Sequence, residues 1–524
     1  MKATITLVLL GVASHTFAQL PEDILRYSFY PQVGTARSLA IGGAMGSLGG
    51  DISSTFTNPA GLGLYKTREL VLTPGMGFNS NHNDFRGTNA TSSLNRFQLG
   101  TSGFVFGAPT QVPNTKWKGS AFSIAVTKVS DFNNHSYYRG LNNYSSYADQ
   151  YADDANQSGQ SIDGILNDPS FAYGTSLALG TYLIDTVTNG SGQQQYVGLP
   201  DFLLNEKIPL IQEKTVDSRG GMSEVDVAFA ASHMDKWYIG GALGFPIVYV
   251  NQTIHYTETA SSPDPSGNFV SSSFYDNRIS KGYGVNLRLG VIFKPDNSLR
   301  LGAAFTSPSV IGTTDTHNAT MTTNTGSYAG TQTAQASDYL GNASSSNNYT
   351  LITPWRALLS ASYVFNAVED VKQQRGFVTA DLEYVGYHES GFGSTASSDD
   401  DPTWGSTPAQ NAYYHTLTQL VHSQYKDAVN LKVGGELKLD TWLARLGFAH
   451  YGNPHRDNDD LKAGKTIFSA GLGYRNFGMF FDVGYAYAIA TDVDFPYLVS
   501  SKENTFADLR DHRGTLMITW GVKF

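Results

Sequence analysis

The chain has 524 residues, a net charge of −10, no cysteine, 15% charged residues, 12% aromatic residues and 54 glycines. That balance gives no support to nucleic-acid binding. It excludes disulfides and thiolate chemistry, and its charge content lies well under the roughly 25% of an ordinary soluble domain.

Residues 1–18 read as a secretory signal peptide: a basic start, an apolar run from Ile5 to Ala13 and small residues before Gln19. No cysteine follows, so a lipidated N-terminus is not expected. Beyond it no apolar run reaches the roughly 20 residues of a spanning helix. Few charges, many aromatics and many glycines then suit a transmembrane β-barrel in an outer membrane.

Residues 19–67 carry few strand signals. They hold the glycine-rich run "AIGGAMGSLGGD" and then "TFTNPAGLGLYK", Thr55 to Lys66, whose Asn-Pro pair starts a turn. Lying just ahead of the first strand, this segment is expected to be a plug inside a barrel formed by residues 68–524. Its glycines would let backbone approach the wall closely.

Strands follow with period-two alternation. In "AVNLKVGGELKLD", Val429, Leu431, Val433, Leu437 and Leu439 oppose Asn430, Lys432, Glu436, Lys438 and Asp440, so the second face is wet. Fourteen strands are expected, at 68–78, 94–107, 117–132, 219–233, 236–258, 280–294, 298–318, 349–365, 376–388, 425–439, 441–451, 465–475, 477–490 and 511–524. Tight turns such as Met234-Asp235 alternate with long polar loops, as in barrels with short periplasmic turns and long outer loops. Both chain ends are then expected on the periplasmic side. The longest loop, 140–217, contains "FAYGTSLALGTYLI" and "PDFLLNEKIPLI". These are expected to be helical, and serve either as an apolar landing site or as rim packing. The chain ends on Phe524, an aromatic residue on an alternating last strand.

"ARSLAIGGAMGSLGGDISSTFTNPAGLGLYK" resembles the N-terminal hatch of the FadL/TodX family of outer-membrane hydrophobic-compound transporters. The family's Asn-Pro-Ala motif matches Asn58, Pro59 and Ala60. "FSIAVTKVSDFNNHSYYRG", "LRLGAAFTSPS", "YTLITPWRALLSASYVF" and "FVTADLEYVGY" look like further strands of the family. The resemblance implies a fourteen-stranded barrel, a plug, and ligand leaving sideways through a wall gap beside an inward kink in the third strand. One departure is visible: Ala121 to Phe132 contains neither Gly nor Pro, so no kink is expected from this stretch.

No phosphate cradle, nucleophile elbow or histidine pair appears. "DNDDLK" from Asp457 lacks the glycine and glutamate of a calcium loop, and Asp399 to Asp401 reads as a solvated loop tip. No enzyme activity, cofactor or metal is expected. Inward Asp381 and Glu383 read as lumen charges balanced by Arg288, Arg300, Arg356, Lys432 and Lys438. Of these, Arg288, Arg300 and Lys432 are candidates for binding a ligand carboxylate. The expected function is passive uptake of hydrophobic compounds such as long-chain fatty acids, with lipopolysaccharide and other outer-membrane lipid around the barrel. The alternative is a PorV-like carrier in protein secretion, a group found in Bacteroidota. Its 140–217 loop would dock a surface protein or lipoprotein.

Overall fold

The computed structural model describes residues 22–31, 34–188, 190, 192, 194–264, 267–365, 375–394, 408–456 and 464–524. The signal-peptide stretch, Asp399 to Asp401 and "DNDDLK" lie outside the described residues.

Fourteen antiparallel strands close into a barrel. They are β1 (Arg68–Leu72 and Pro74–Phe85), β2 (Thr88–Leu99 and Ser102–Pro109) and β3 (Trp117–Asp131 and Asn134–Asn142). Next come β4 (Leu210–His233), β5 (Trp237–Ala260), β6 (Ser271–Phe293) and β7 (Leu299–Thr306 and Val310–Asn324). After them run β8 (Ser346–Ile352 and Arg356–Phe365), β9 (Gly376–Val385 and Gly391–Ser394) and β10 (Ala428–Leu439). The last four are β11 (Trp442–Tyr451), β12 (Lys465–Asn476), β13 (Met479–Asp494) and β14 (Ala507–Lys523). Closure is made by β1 on β14, from Glu69 opposite Lys523 to Phe85 opposite Ala507.

Alternation sorts the two faces. Ile239, Leu243, Leu289, Leu382, Leu431, Leu446 and Leu472 point outward and are exposed, Leu446 by 71%. Inward neighbours such as Arg288, Asp381, Asn430 and Arg445 are buried. A continuous exposed apolar band of this kind is a lipid-facing surface. Trp117, Trp237, Trp442, Tyr474 and Phe477 are exposed near the short turns, where aromatic rings mark a membrane–water boundary. In the β4–β5 connection, Met234 and Asp235 both take positive φ, +57° and +53°, as the central residues of a type I′ turn do, and Lys236 N–H closes it on His233 O at 3.2 Å.

Residues 22–31 and 34–67 fill the lumen. Their helices are α1 (Glu22–Ser28), α2 (Ala36–Ala40) and α3 (Ser54–Thr57), followed by a 3₁₀ turn, Pro59–Leu64. The plug is pinned by hydrogen bonds to the wall: Ala36 N–H to Thr519 Oγ1 at 2.8 Å, Gly42 N–H to Ser469 Oγ at 3.1 Å and Gly46 N–H to Asp381 Oδ2 at 3.0 Å. Close approach needs glycine on the wall as well as on the plug. A Cβ on Gly240 would lie 2.5 Å from the carbonyl carbon of Pro59. One on Gly302 would lie 2.4 Å from Gly46 O, and one on Gly434 2.2 Å from Ile41 O.

The long-loop end is closed by a cap. Residues 143–209 carry α4 (Ala148–Ser158), α5 (Ile162–Leu166), α6 (Thr175–Gly180) and α7 (Asp201–Asn205), with a hairpin of Ile184–Thr188 on Gln194–Gly198. The two apolar segments expected to be helical are so only over α6 and α7. Their ends pass into the hairpin and into β4, which begins at Leu210. Leu177, Leu179, Leu183, Leu199 and Leu203 are buried together with the rim residues Tyr256, Phe274 and Met321. Most of these apolar side chains therefore pack on one another and on the barrel, while Tyr182 and Phe202 stay exposed. A second loop helix, α8 (Pro408–Gln424), lies in one apolar cluster with α1: Tyr414, Leu417 and Val421 join Ile24, Tyr27 and Tyr30.

Candidate functional site

The barrel wall is incomplete between β2 and β3. Their lower parts pair from Pro109 opposite Gly119 up to Ser102 opposite Val126. Above that level Thr88–Leu99 pairs only with β1, and Asn134–Asn142 pairs only with β4. The third strand therefore does break, although Ala121 to Phe132 carries no Gly or Pro to signal it. The break falls between Asp131 and Asn134, just beyond that stretch, and follows a register shift between Lys128 and Ser130.

Side chains and a neighbouring glycine make this break. Gly220 of β4 has φ +120°, and its carbonyl accepts from Phe132 N–H at 3.2 Å and from Asn133 Nδ2 at 3.2 Å. Its own N–H donates to Asn133 Oδ1 at 3.2 Å. Asn133 thus takes the place of a missing stretch of ladder. Beyond the break, β3 carbonyls that would face β2 backbone meet asparagine amides from β1. Asn81 Nδ2 donates to His135 O at 2.6 Å and Asn83 Nδ2 to Tyr137 O at 2.9 Å, while Asn79 Nδ2 donates to Asn134 Oδ1 at 2.5 Å. Buried backbone carbonyls need such partners. The signal was present in "NSNHND": three asparagines at period two place three amides on one inward face.

A cavity of about 130 Å³ lies against the break. Phe78, Leu94 and Val129 give it apolar walls, Arg96, Gln98 and Asn133 polar ones, and Pro31 and Leu39 of the plug close its floor. Arg96 Nε and Gln98 Nε2 are buried without a hydrogen-bond partner, and Lys128 is held by Asp131 at 2.7 Å. A polar-edged apolar chamber of this kind suits an amphipathic solute.

The residues singled out in sequence fall in three places. Asn58, Pro59 and Ala60 lie against β5, β6 and β7. Asn58 Oδ1 accepts from Ala60 N–H at 3.1 Å, and its amide donates to Gly46 O at 2.6 Å and to Val291 O at 3.3 Å. Arg288 and Lys432 line one small cavity of about 50 Å³ with Tyr30, Phe56, Arg356 and Glu383. Arg288 is held by Glu224 and Asp226, both at 2.5 Å, and lies over the Phe56 ring at 4.3 Å. Lys432 pairs with Glu383 at 3.2 Å. Arg300 stands apart at the short-turn end, donating to Leu48 O. The three cations therefore do not form one site.

No protein-family model matches the chain, and no curated protein matches it. Among solved structures, the chain is similar to a Pseudomonas aeruginosa FadL homologue, with a TM-score of 0.53 and 12% identity over 95% of this chain and 100% of that one. The P. putida toluene transporter TodX matches at a TM-score of 0.50 and 12% identity, over 94% of this chain and 99% of that one. At such identity the likeness is one of fold: a barrel closed around an N-terminal plug.

Proposed function

We propose that this chain is an outer-membrane channel for passive uptake of hydrophobic compounds, which leave the lumen sideways through the gap between β2 and β3. The observation that carries the reading is the unpaired wall above Ser102 and Val126, with the amphipathic cavity set against it. The lumen below is filled by the plug, so a straight path between the two ends is blocked, and the missing ladder leaves a side exit bridged by side chains, Ser92 Oγ donating to His135 O at 2.7 Å. An apolar solute gains about 0.8 kcal/mol per buried CH₂, so a concentration gradient is a sufficient driving force. The fold likeness to a toluene transporter supports an apolar cargo.

The lining suits amphiphiles, long-chain fatty acids among them. Arg96 makes no ion pair among the described residues and stands beside Leu94. A ligand carboxylate reaching Arg288 or Lys432 would have to displace Glu224, Asp226 or Glu383. The short turns and both chain ends face the periplasm, and the capped end faces outward among lipopolysaccharide.

Gly77 supplies the test. A Cβ there meets nothing nearer than Gln98 Nε2 at 3.5 Å, so Gly77→Phe can fill the cavity without a backbone clash. Cells carrying this variant should take up radiolabelled toluene and oleate several-fold more slowly than cells with the parent, at equal surface levels of folded protein. Undiminished uptake of both would sink the lateral route.

A further inference from the structure

At the short-turn end, plug and wall enclose a cavity of about 230 Å³, lined by Arg37, Leu48, Arg300, Glu436, Lys438 and Arg475. Its charges do not balance. Glu436 lies 3.4 Å from Arg37 Nε and 2.6 Å from Arg445 Nε. Asp482 lies 2.6 Å from Arg445 Nη1 and 4.0 Å from Arg475 Nη2. Two carboxylates therefore serve three guanidiniums. Arg300 makes no ion pair among the described residues and meets only the carbonyl of Leu48.

The donors are unmet as well. Arg300 Nε, Arg475 Nε and Arg445 Nη2 are all buried without a hydrogen-bond partner. A buried N–H of a cation left without an acceptor is costly, and such groups cluster where an anion or water belongs. The surrounding turns add to the same field. Lys116, Lys118, Lys236, Lys294 and Arg375 stand there against Asp235, Asp296 and Asp440, in a chain whose net charge is −10. A rim of net positive charge raises the local concentration of anions.

We propose that this cavity is an anion-binding site for a phosphate group, carried by a free solute or by a lipid headgroup. Its cations come from the plug and from β7, β10 and β12, so they surround the space from several sides. That arrangement suits a tetrahedral oxyanion, whereas a carboxylate takes its donors close to one plane. Because Arg37 belongs to the plug and the other cations to the wall, a bound phosphate bridges the two and holds the plug seated.

The test is calorimetric titration of the whole chain in a neutral maltoside detergent, at matched chloride ionic strength. One arm uses inorganic phosphate, a second uses dihexanoylphosphatidylglycerol without phosphate, and a third uses acetate. Binding in the first arm assigns a free phosphate, and binding in the second alone assigns a lipid headgroup. Either result supports the site, provided Arg300→Gln and Arg475→Gln each weaken binding about tenfold or more while Lys207→Gln, an exposed residue of the cap at the opposite end, leaves it unchanged. Heat-modifiable gel mobility verifies that each variant is a folded barrel, and Arg300→Lys should restore part of the affinity if Arg300→Gln folds poorly. No binding of either phosphate source, acetate binding as tightly as phosphate, or affinity indifferent to both arginines would overturn the proposal. The outcome does not depend on whether the β2–β3 gap carries cargo.

Discussion

Tyr27 of the plug stands edge-on to Phe132, the residue at which the third strand breaks, with ring centroids 5.6 Å apart and planes at 85°. Both rings belong to the apolar cluster that includes α8. The plug therefore touches the wall gap directly, through a fully buried aromatic side chain. Deleting that ring leaves a cavity, at a typical cost of about 3–5 kcal/mol. The barrel's closed hydrogen-bond ladder is independent of it. Tyr27→Ala should leave the folded barrel intact while speeding amide exchange across residues 22–31 and around Phe132. Exchange confined to residues 22–31 would mean that plug and gap are not coupled.

The seat of the Asn-Pro turn depends on wall glycines. A Cβ on Gly290 would lie 1.9 Å from Asn58 Oδ1, and overpacking of this kind costs roughly 1–3 kcal/mol or more. Gly290→Val should fold as a barrel but unseat the plug, and planar-bilayer recording should show ion-conducting openings. A variant as electrically silent as the parent would place the turn elsewhere.

Arg288 is a structural cation in this geometry. Replacing it with methionine leaves Glu224 and Asp226 buried and uncompensated, a change worth about 3–5 kcal/mol of destabilisation. Arg288→Met should lower the urea midpoint of the purified barrel markedly. Replacement of Lys66, which is exposed and 3.7 Å from Asp235, should not.

The cap carries a titrating latch. Lys502 reaches Asp149 at 2.7 Å and Asp201 at 3.2 Å, tying α4 and α7 to the loop between β13 and β14. Burial, with Asp201 beside it, pushes the Asp149 carboxyl up from 3.8 to about 7. The folded cap thus holds this proton over a range where the open one has released it. Its contribution is complete below pH 3.8 and is lost as pH rises through about 7. Amide exchange over Ala148–Ser158, corrected for intrinsic rates, should be faster at pH 8 than at pH 5.5, and Asp149→Asn should flatten the dependence.

Alternation made the barrel legible. Leu431 and Val433 face lipid while Asn430 and Lys432 face the lumen, and the alternation of tight turns with long polar loops separates this wall from a sandwich, which shares the period-two pattern. The upper strand ends were less legible. Beta4 begins at Leu210, well before the expected 219, because residues 212–219 carry polar side chains on both faces and the period-two signal fades. The break in β3 escaped a search for Gly or Pro because its causes are Asn133, the amides of Asn79, Asn81 and Asn83, and Gly220 on the next strand. A single-strand reading cannot see a glycine that acts across the ladder. The carboxylate role given to Arg288 and Lys432 met a similar limit: inward direction can be read from period, but an ion-pair partner on another strand cannot.

Where cargo leaves the lumen can be read directly by photocrosslinking. A benzophenone amino acid would replace Leu94 in the gap or Leu48 at the short-turn mouth, and each variant would be exposed to tritiated oleate in intact cells. The account predicts strong labelling at position 94, abolished by Gly77→Phe in the same chain, with only background at position 48. Strong labelling at position 48 with none at 94 would contradict it, because cargo would then pass the plug and leave by the far end.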